Sequence, residues 1–148
     1  MLRKSIFLYS LLFFSFCFGV VESHSQCVRV DNLKTNSLTG RTIAVYQGTD
    51  RKDDLPGVSI VVSKETKDDR VVVVEGKTDS NGLFAFSDIS PGKYIFEAFA
   101  TNFDKISLRL KITRRSRNEK RKVLLVALGP TIPSGTDSCE GYVTVEAR

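Results

Sequence analysis

Residues 78 to 103, TDSNGLFAFSDISPGKYIFEAFATNF, interleave turn signals with period-2 apolar runs, and that combination commits the region to β-structure. Asp79, Asn81 and Gly82 suit a tight turn, because Asx side chains bond nearby backbone and glycine accepts positive φ. Pro91 and Gly92 supply a second turn signal. Between the two, Phe84 and Phe86 share one face by alternation, and Tyr94 and Phe96 do the same after the second.

The same grammar runs through the chain from residue 26 onward. Strands are expected near Cys27 to Val30, Arg41 to Gln47, Val58 to Ser63, Arg70 to Lys77, Leu83 to Phe86, Lys93 to Ala100, Lys105 to Thr113, Lys122 to Leu128 and Gly141 to Glu146. No helical period is sustained. Ile106, Leu108, Leu110 and Ile112 alternate with Ser107, Arg109 and Lys111, which gives that strand one buried and one wet face. Val123 to Leu128 is an unbroken apolar run, as expected of a central strand covered on both sides. Asp31 to Gly40 and Gly129 to Ser138 read as polar linkers. The fold class is therefore all-β, a sandwich or barrel of about seven to nine short strands.

The first 25 residues read differently. Arg3 and Lys4 precede an uncharged run from Ser5 to Val21, and Glu22-Ser23-His24-Ser25 follows, the order of a secretory signal peptide. Small residues at Ser23 and Ser25 place cleavage before Gln26, with a cut before His24 as the alternative. An uncleaved anchor is the other reading, since a bilayer can be spanned by about 17 residues. A lipoprotein anchor is disfavoured by bulky Gln26 before Cys27 and Phe16 before Cys17. The expected organisation is a signal peptide at 1–25 and a single domain at 26–148, secreted or periplasmic, with no membrane span after cleavage.

Export frames the cysteines and the charge. Cys17 leaves with the signal peptide, and Cys27 and Cys139 remain as a pair expected to form a disulfide. Closing a loop of about 113 residues is worth roughly 4 to 5 kcal/mol in the chain-entropy model. Losing Arg3, Lys4 and Glu22 lowers the formal net charge from +5 to +4, a mild excess that predicts no nucleic-acid partner.

Absence is the strongest chemical signal. The one histidine, His24, lies in or beside the signal peptide, which removes the usual general base, Ser-His-Asp and Cys-His nucleophiles and histidine metal sites. Asp53-Asp54 and Asp68-Asp69 read as solvated turn charges. Ser90-Pro91-Gly92-Lys93 matches S-x-x-K only formally, and Asp79-x-Asn81-Gly82 lacks the acidic ladder of a calcium loop, so it reads as a hairpin turn. No catalytic, metal or cofactor residue is expected. Arg114, Arg115, Arg117, Lys120, Arg121 and Lys122, relieved by Glu119, form either a solvated hairpin tip or a candidate patch for an anionic ligand.

Leu55 to Val62 (LPGVSIVV) followed by Gly76 to Phe103 resembles the carboxypeptidase regulatory-like domain, a transthyretin-like or prealbumin-like sandwich. Pro56-Gly57-Val58, Thr78-Asp79, Gly82, Phe84, Pro91-Gly92 and Tyr94 carry the resemblance, while Gly40-Arg41-Thr42 and Asn102-Phe103 depart from the family's opening and close. It covers Gly40 to Ile112, within a family-like core at 40–128. The resemblance implies a Greek-key sandwich and a noncatalytic module that binds a protein or cell-envelope component or plays a structural role. It also implies an alternative, a carbohydrate-binding module of starch-binding-like fold, with a glycan or anionic polymer as ligand. A hydrolase is more distant: the histidines of hydroxyisourate hydrolases and the two-Tyr, two-His iron site of intradiol dioxygenases are missing. For a glycan binder, exposed coplanar aromatics would have to come from Tyr46, Tyr94, Phe103 and Tyr142.

Overall fold

The computed structural model describes residues 26–28, 32–67, 69–131 and 141–148. The signal peptide expected at 1–25 and the cysteine at 139 lie outside the described residues. Among those described there are eleven strands and no helix long and apolar enough to cross a membrane.

The strands are β1 (Gln26–Val28), β2 (Leu33–Thr35), β3 (Leu38–Val45), β4 (Lys52–Asp54), β5 (Ser59–Glu65), β6 (Arg70–Lys77), β7 (Leu83–Phe86), β8 (Gly92–Phe99), β9 (Lys105–Ile112), β10 (Lys122–Leu128) and β11 (Tyr142–Ala147). The larger sheet runs β6-β5-β8-β9 in antiparallel pairs, and β1 and β2 both join β9 in parallel. The smaller sheet runs β11-β10-β3. The other edge of β3 is shared by β7, against Leu38 to Arg41, and β4, against Ile43 to Val45. Successive strands cross between the sheets repeatedly, so the fold is an all-β sandwich, one of the two architectures that the turn spacing predicted.

Alternation builds the core. Ile106, Leu108, Leu110 and Ile112 on β9 are all buried, as are Ile60 and Val62 on β5 and Phe96 on β8. Leu38, Phe84, Leu124, Val126, Leu128 and Val143 close on them from the smaller sheet. The ring of Phe84 lies 6.1 Å from that of Phe86 and 6.2 Å from that of Phe96, so the two sheets meet through aromatic contact. Phe99 leaves this pattern: it is exposed, with Lys105 Nζ 5.9 Å above its ring.

Several expectations are corrected. The stretch from Asp31 to Gly40 is not a linker throughout, because it contains β2 and the start of β3. Asp53 and Asp54 stand on β4 rather than in a turn, and pair with Arg51 and Arg41 respectively. The Asp79 turn is real: the Asp79 carboxylate accepts from the Asn81 N–H at 2.9 Å and the Leu83 N–H at 2.8 Å. It is not a hairpin, since it carries the chain from β6 in one sheet to β7 in the other. At the second turn the left-handed residue is Asp88 (φ 63°), while Gly92 already opens β8. Finally, β10 is central but covered unequally. Leu124, Val126 and Leu128 are buried, whereas Val123 and Leu125 are half-buried beside Arg41, Lys52 and Arg148.

Candidate functional site

The basic segment from Arg114 to Lys122 joins β9 to β10, and these strands belong to different sheets. It is a crossover and not a hairpin tip. Its backbone is held by Asn36, whose Nδ2 donates to Lys120 O at 2.8 Å and whose Oδ1 accepts the Lys122 N–H at 2.8 Å. Ser37 Oγ donates to Lys122 O as well. Arg148 N–H donates to Arg121 O at 2.9 Å, tying the segment to the residue that follows β11.

Glu119 organises the interior of the crossover. Its carboxylate accepts from the Ser116 N–H at 3.4 Å and lies 3.4 Å from Lys122 Nζ. The Ser116 N–H, ahead of Asn36 and Lys122, holds the Glu119 carboxyl below its ordinary value, against a smaller opposing effect of burial. Arg115 Nε donates to Glu119 O at 3.0 Å. The six candidate cations therefore do not form one face. Arg114, Arg115 and Arg121 line a cleft of about 470 Å³ with Phe86, Ile112 and the carboxylate of Asp88, while Arg117, Lys120 and Lys122 lie outside its lining.

A second basic surface went unnoticed in the linear sequence. On the outer face of the larger sheet, Lys34 of β2, Lys111 of β9 and Lys93 of β8 stand side by side in register. With Arg109 and Glu65 they line a depression of about 700 Å³. The alternation of β9 marked Arg109 and Lys111 as outward; the neighbours they meet depend on strand order. A third feature is the far edge of the same sheet. Val71, Val72 and Val73 of β6 are 52, 54 and 44% exposed, and β6 has no neighbour on its outer side among the described residues.

The aromatics named for sugar stacking do not gather. Tyr94 is buried, its hydroxyl donating to Ser90 O at 2.6 Å, and Tyr46, Phe103 and Tyr142 are each half-buried on separate segments. Of the expected disulfide, Cys27 falls on β1 and Cys139 is outside the described residues.

A family model described as the prealbumin-like fold domain SpaA matches residues 24–102, which is more than half of the chain. The chain belongs to the SpaA prealbumin-like fold domain family. The SpaA match covers the segment from β1 to β8 and the turn beyond it, so the prealbumin-like level of the resemblance is shown. Pro56-Gly57-Val58 and Thr78-Asp79 serve that fold directly: Gly57 has φ 70°, and Thr78 Oγ1 accepts the Val58 N–H at 3.0 Å. Two solved structures resemble this SpaA-family chain. Sea bream transthyretin in complex with thyroxine is 14% identical, with TM-score 0.47 over 72% of this chain and 93% of its own. Transthyretin from Sparus aurata is 16% identical, with TM-score 0.47 over 72% of this chain and 96% of its own. No curated protein matches the chain.

Proposed function

We propose that the chain is an exported, noncatalytic module of the carboxypeptidase regulatory-like type. In this reading it holds a protein or cell-envelope partner at the free edge of its larger sheet. The carrying observation is β6: three consecutive exposed valines on an edge strand, where most edges are shortened, charged or covered. A partner segment added in extended form would take main-chain hydrogen bonds from β6 and cover Val71 and Val72. Arg70, Glu75 and Lys77 flank the valines and would limit indiscriminate pairing. The secretory order of residues 1–25 supports export, and a disulfide between Cys27 and Cys139 would suit that compartment.

The test is retention of a discrete protein from native envelope extract on the immobilised chain. The double variant Val71→Lys, Val72→Lys changes exposed positions, where substitutions shift stability by about 0.5 kcal/mol or less. It should remain folded and lose the partner. Equal retention by variant and wild type would remove the edge from the reading. Hydrolysis of a sugar, ester or peptide substrate by the purified chain would overturn its noncatalytic character.

A further inference from the structure

We propose that the outer face of the larger sheet carries a binding site for a linear phosphate-bearing oligoanion, centred on Lys93, Lys111 and Arg109. Lys34 faces Lys111, and Lys111 faces Lys93, across adjacent strands. Direct cross-strand opposition sets Cβ atoms about 5 Å apart, where like charges destabilise a sheet. Three lysines in one such row are therefore a cost to folding that a neutral residue at the centre would remove. Arg109 lies two residues along β9 from Lys111, on the same face and about 7 Å away. Together the four cations face one carboxylate, Glu65, in a depression of about 700 Å³ whose lining includes Ile95.

The contrast within the same face is informative. Toward its other end, Glu97 takes both Arg70, at 3.2 Å, and Lys105, at 2.8 Å, so the cations there share a carboxylate partner. None of Lys34, Lys93, Arg109 and Lys111 has an ion pair among the described residues. The unmatched half is complementary to a multiply charged anion. Three of its four cations are lysines, compact point charges that take up phosphate oxygens without a fixed geometry, and Arg109 adds a planar fork that can pair a phosphate bidentately. The rows of charge are spaced by the strand repeat, so successive anionic groups of a linear chain can meet successive cations. The crossover from Arg114 to Lys122 is a different surface, with Glu119 and Asp88 already placed among its cations. The site is also independent of the β6 edge, and neither requires the other.

The experiment is calorimetric titration of the full chain with inorganic tripolyphosphate at low ionic strength, with inorganic phosphate as the single-group comparison. Wild type should bind tripolyphosphate more tightly than phosphate, and added salt should weaken the binding steeply. Lys93→Thr with Lys111→Thr should lower tripolyphosphate affinity about tenfold, from two exposed charge contacts. The same variant without ligand should melt no lower than wild type, because the opposed lysines are gone. Arg109→Ser should weaken binding independently, and Arg114→Ser with Arg115→Ser and Arg117→Ser should leave it unchanged. Absence of binding at low salt, unaltered affinity in the lysine variant, or equal loss in the crossover variant would each overturn the site. Tighter binding of a sulfated disaccharide than of tripolyphosphate would overturn the phosphate assignment.

Discussion

Replacing Gly82 by alanine isolates what one turn contributes to the sandwich. Gly82 has φ 70°, a region that costs an L-residue about 1 to 2 kcal/mol. Conformation is only part of the effect, because an added Cβ would lie 2.6 Å from Thr42 O and 3.2 Å from Leu55 N. Thr42 sits in β3 between the stretches paired with β4 and β7 and is fully buried. Its N–H donates to Gly82 O at 2.7 Å, its Oγ1 donates to the same oxygen at 3.1 Å, and its carbonyl accepts from Leu55 N–H at 3.0 Å. Relieving the clash separates these partners, and each strained or lost bond is worth about 1 kcal/mol net. The expected destabilisation is about 3 kcal/mol, which lowers the melting midpoint of a chain this size by roughly 10 °C. Gly48 provides the control, since it has φ 71° with no heavy atom within 4 Å of an added Cβ. Gly48→Ala should cost only the conformational share, about 1 to 2 kcal/mol. Equilibrium denaturation of both variants in guanidinium gives the comparison. A Gly82→Ala midpoint equal to or above that of Gly48→Ala would refute the claim that close approach to Thr42, and not φ alone, requires glycine.

Two further outcomes follow from the crossover. Asn36→Ala removes the acceptor for Lys122 N–H and the donor to Lys120 O, and should cost about 2 kcal/mol in urea denaturation. Glu119, with its carboxyl held below the ordinary 4.5, contributes stability while ionised and loses that contribution as pH falls through its folded-state value. The difference in denaturation midpoint between wild type and Glu119→Gln should accordingly be present at neutral pH and shrink away as pH falls through and below the ordinary carboxylate range; a difference that persists undiminished in acid would contradict the assignment.

The sequence was most informative where a single strand determines its own pattern. Ile106 to Ile112 needed no partner to show which side is buried, and Asp79 to Gly82 carried a turn in four residues. The two strands it did not reveal, β2 and β4, are three residues each. Leu33-Lys34-Thr35 is set in place by β9, and Lys52-Asp53-Asp54 by β3 and by pairing with Arg41 and Arg51. Charge shows the same division. The cations from Arg114 to Lys122 are contiguous and so were visible, although their dispersal around Glu119 was not. Lys34, Lys93 and Lys111 are far apart in the chain, and only strand order and register make them neighbours. The exposure of Val71 to Val73 is likewise a consequence of β6 being last in its sheet, which four consecutive valines do not announce.

The late pairings of β9 and β10 have a consequence for where this module can be cut. Within the family-defining span at 24–102, β8 lacks β9 and β3 lacks β10, so each sheet would end on a strand that is central in the whole molecule. Asn36 and its partner Lys120 are 84 residues apart, and a chain growing from its N-terminus would leave Asn36, β1 and β2 without their partners until that late segment arrives. Such long-range closure places folding in the slow, millisecond-to-second class of β-rich topologies. A chain with this wiring cannot complete either sheet until its last third has been synthesised.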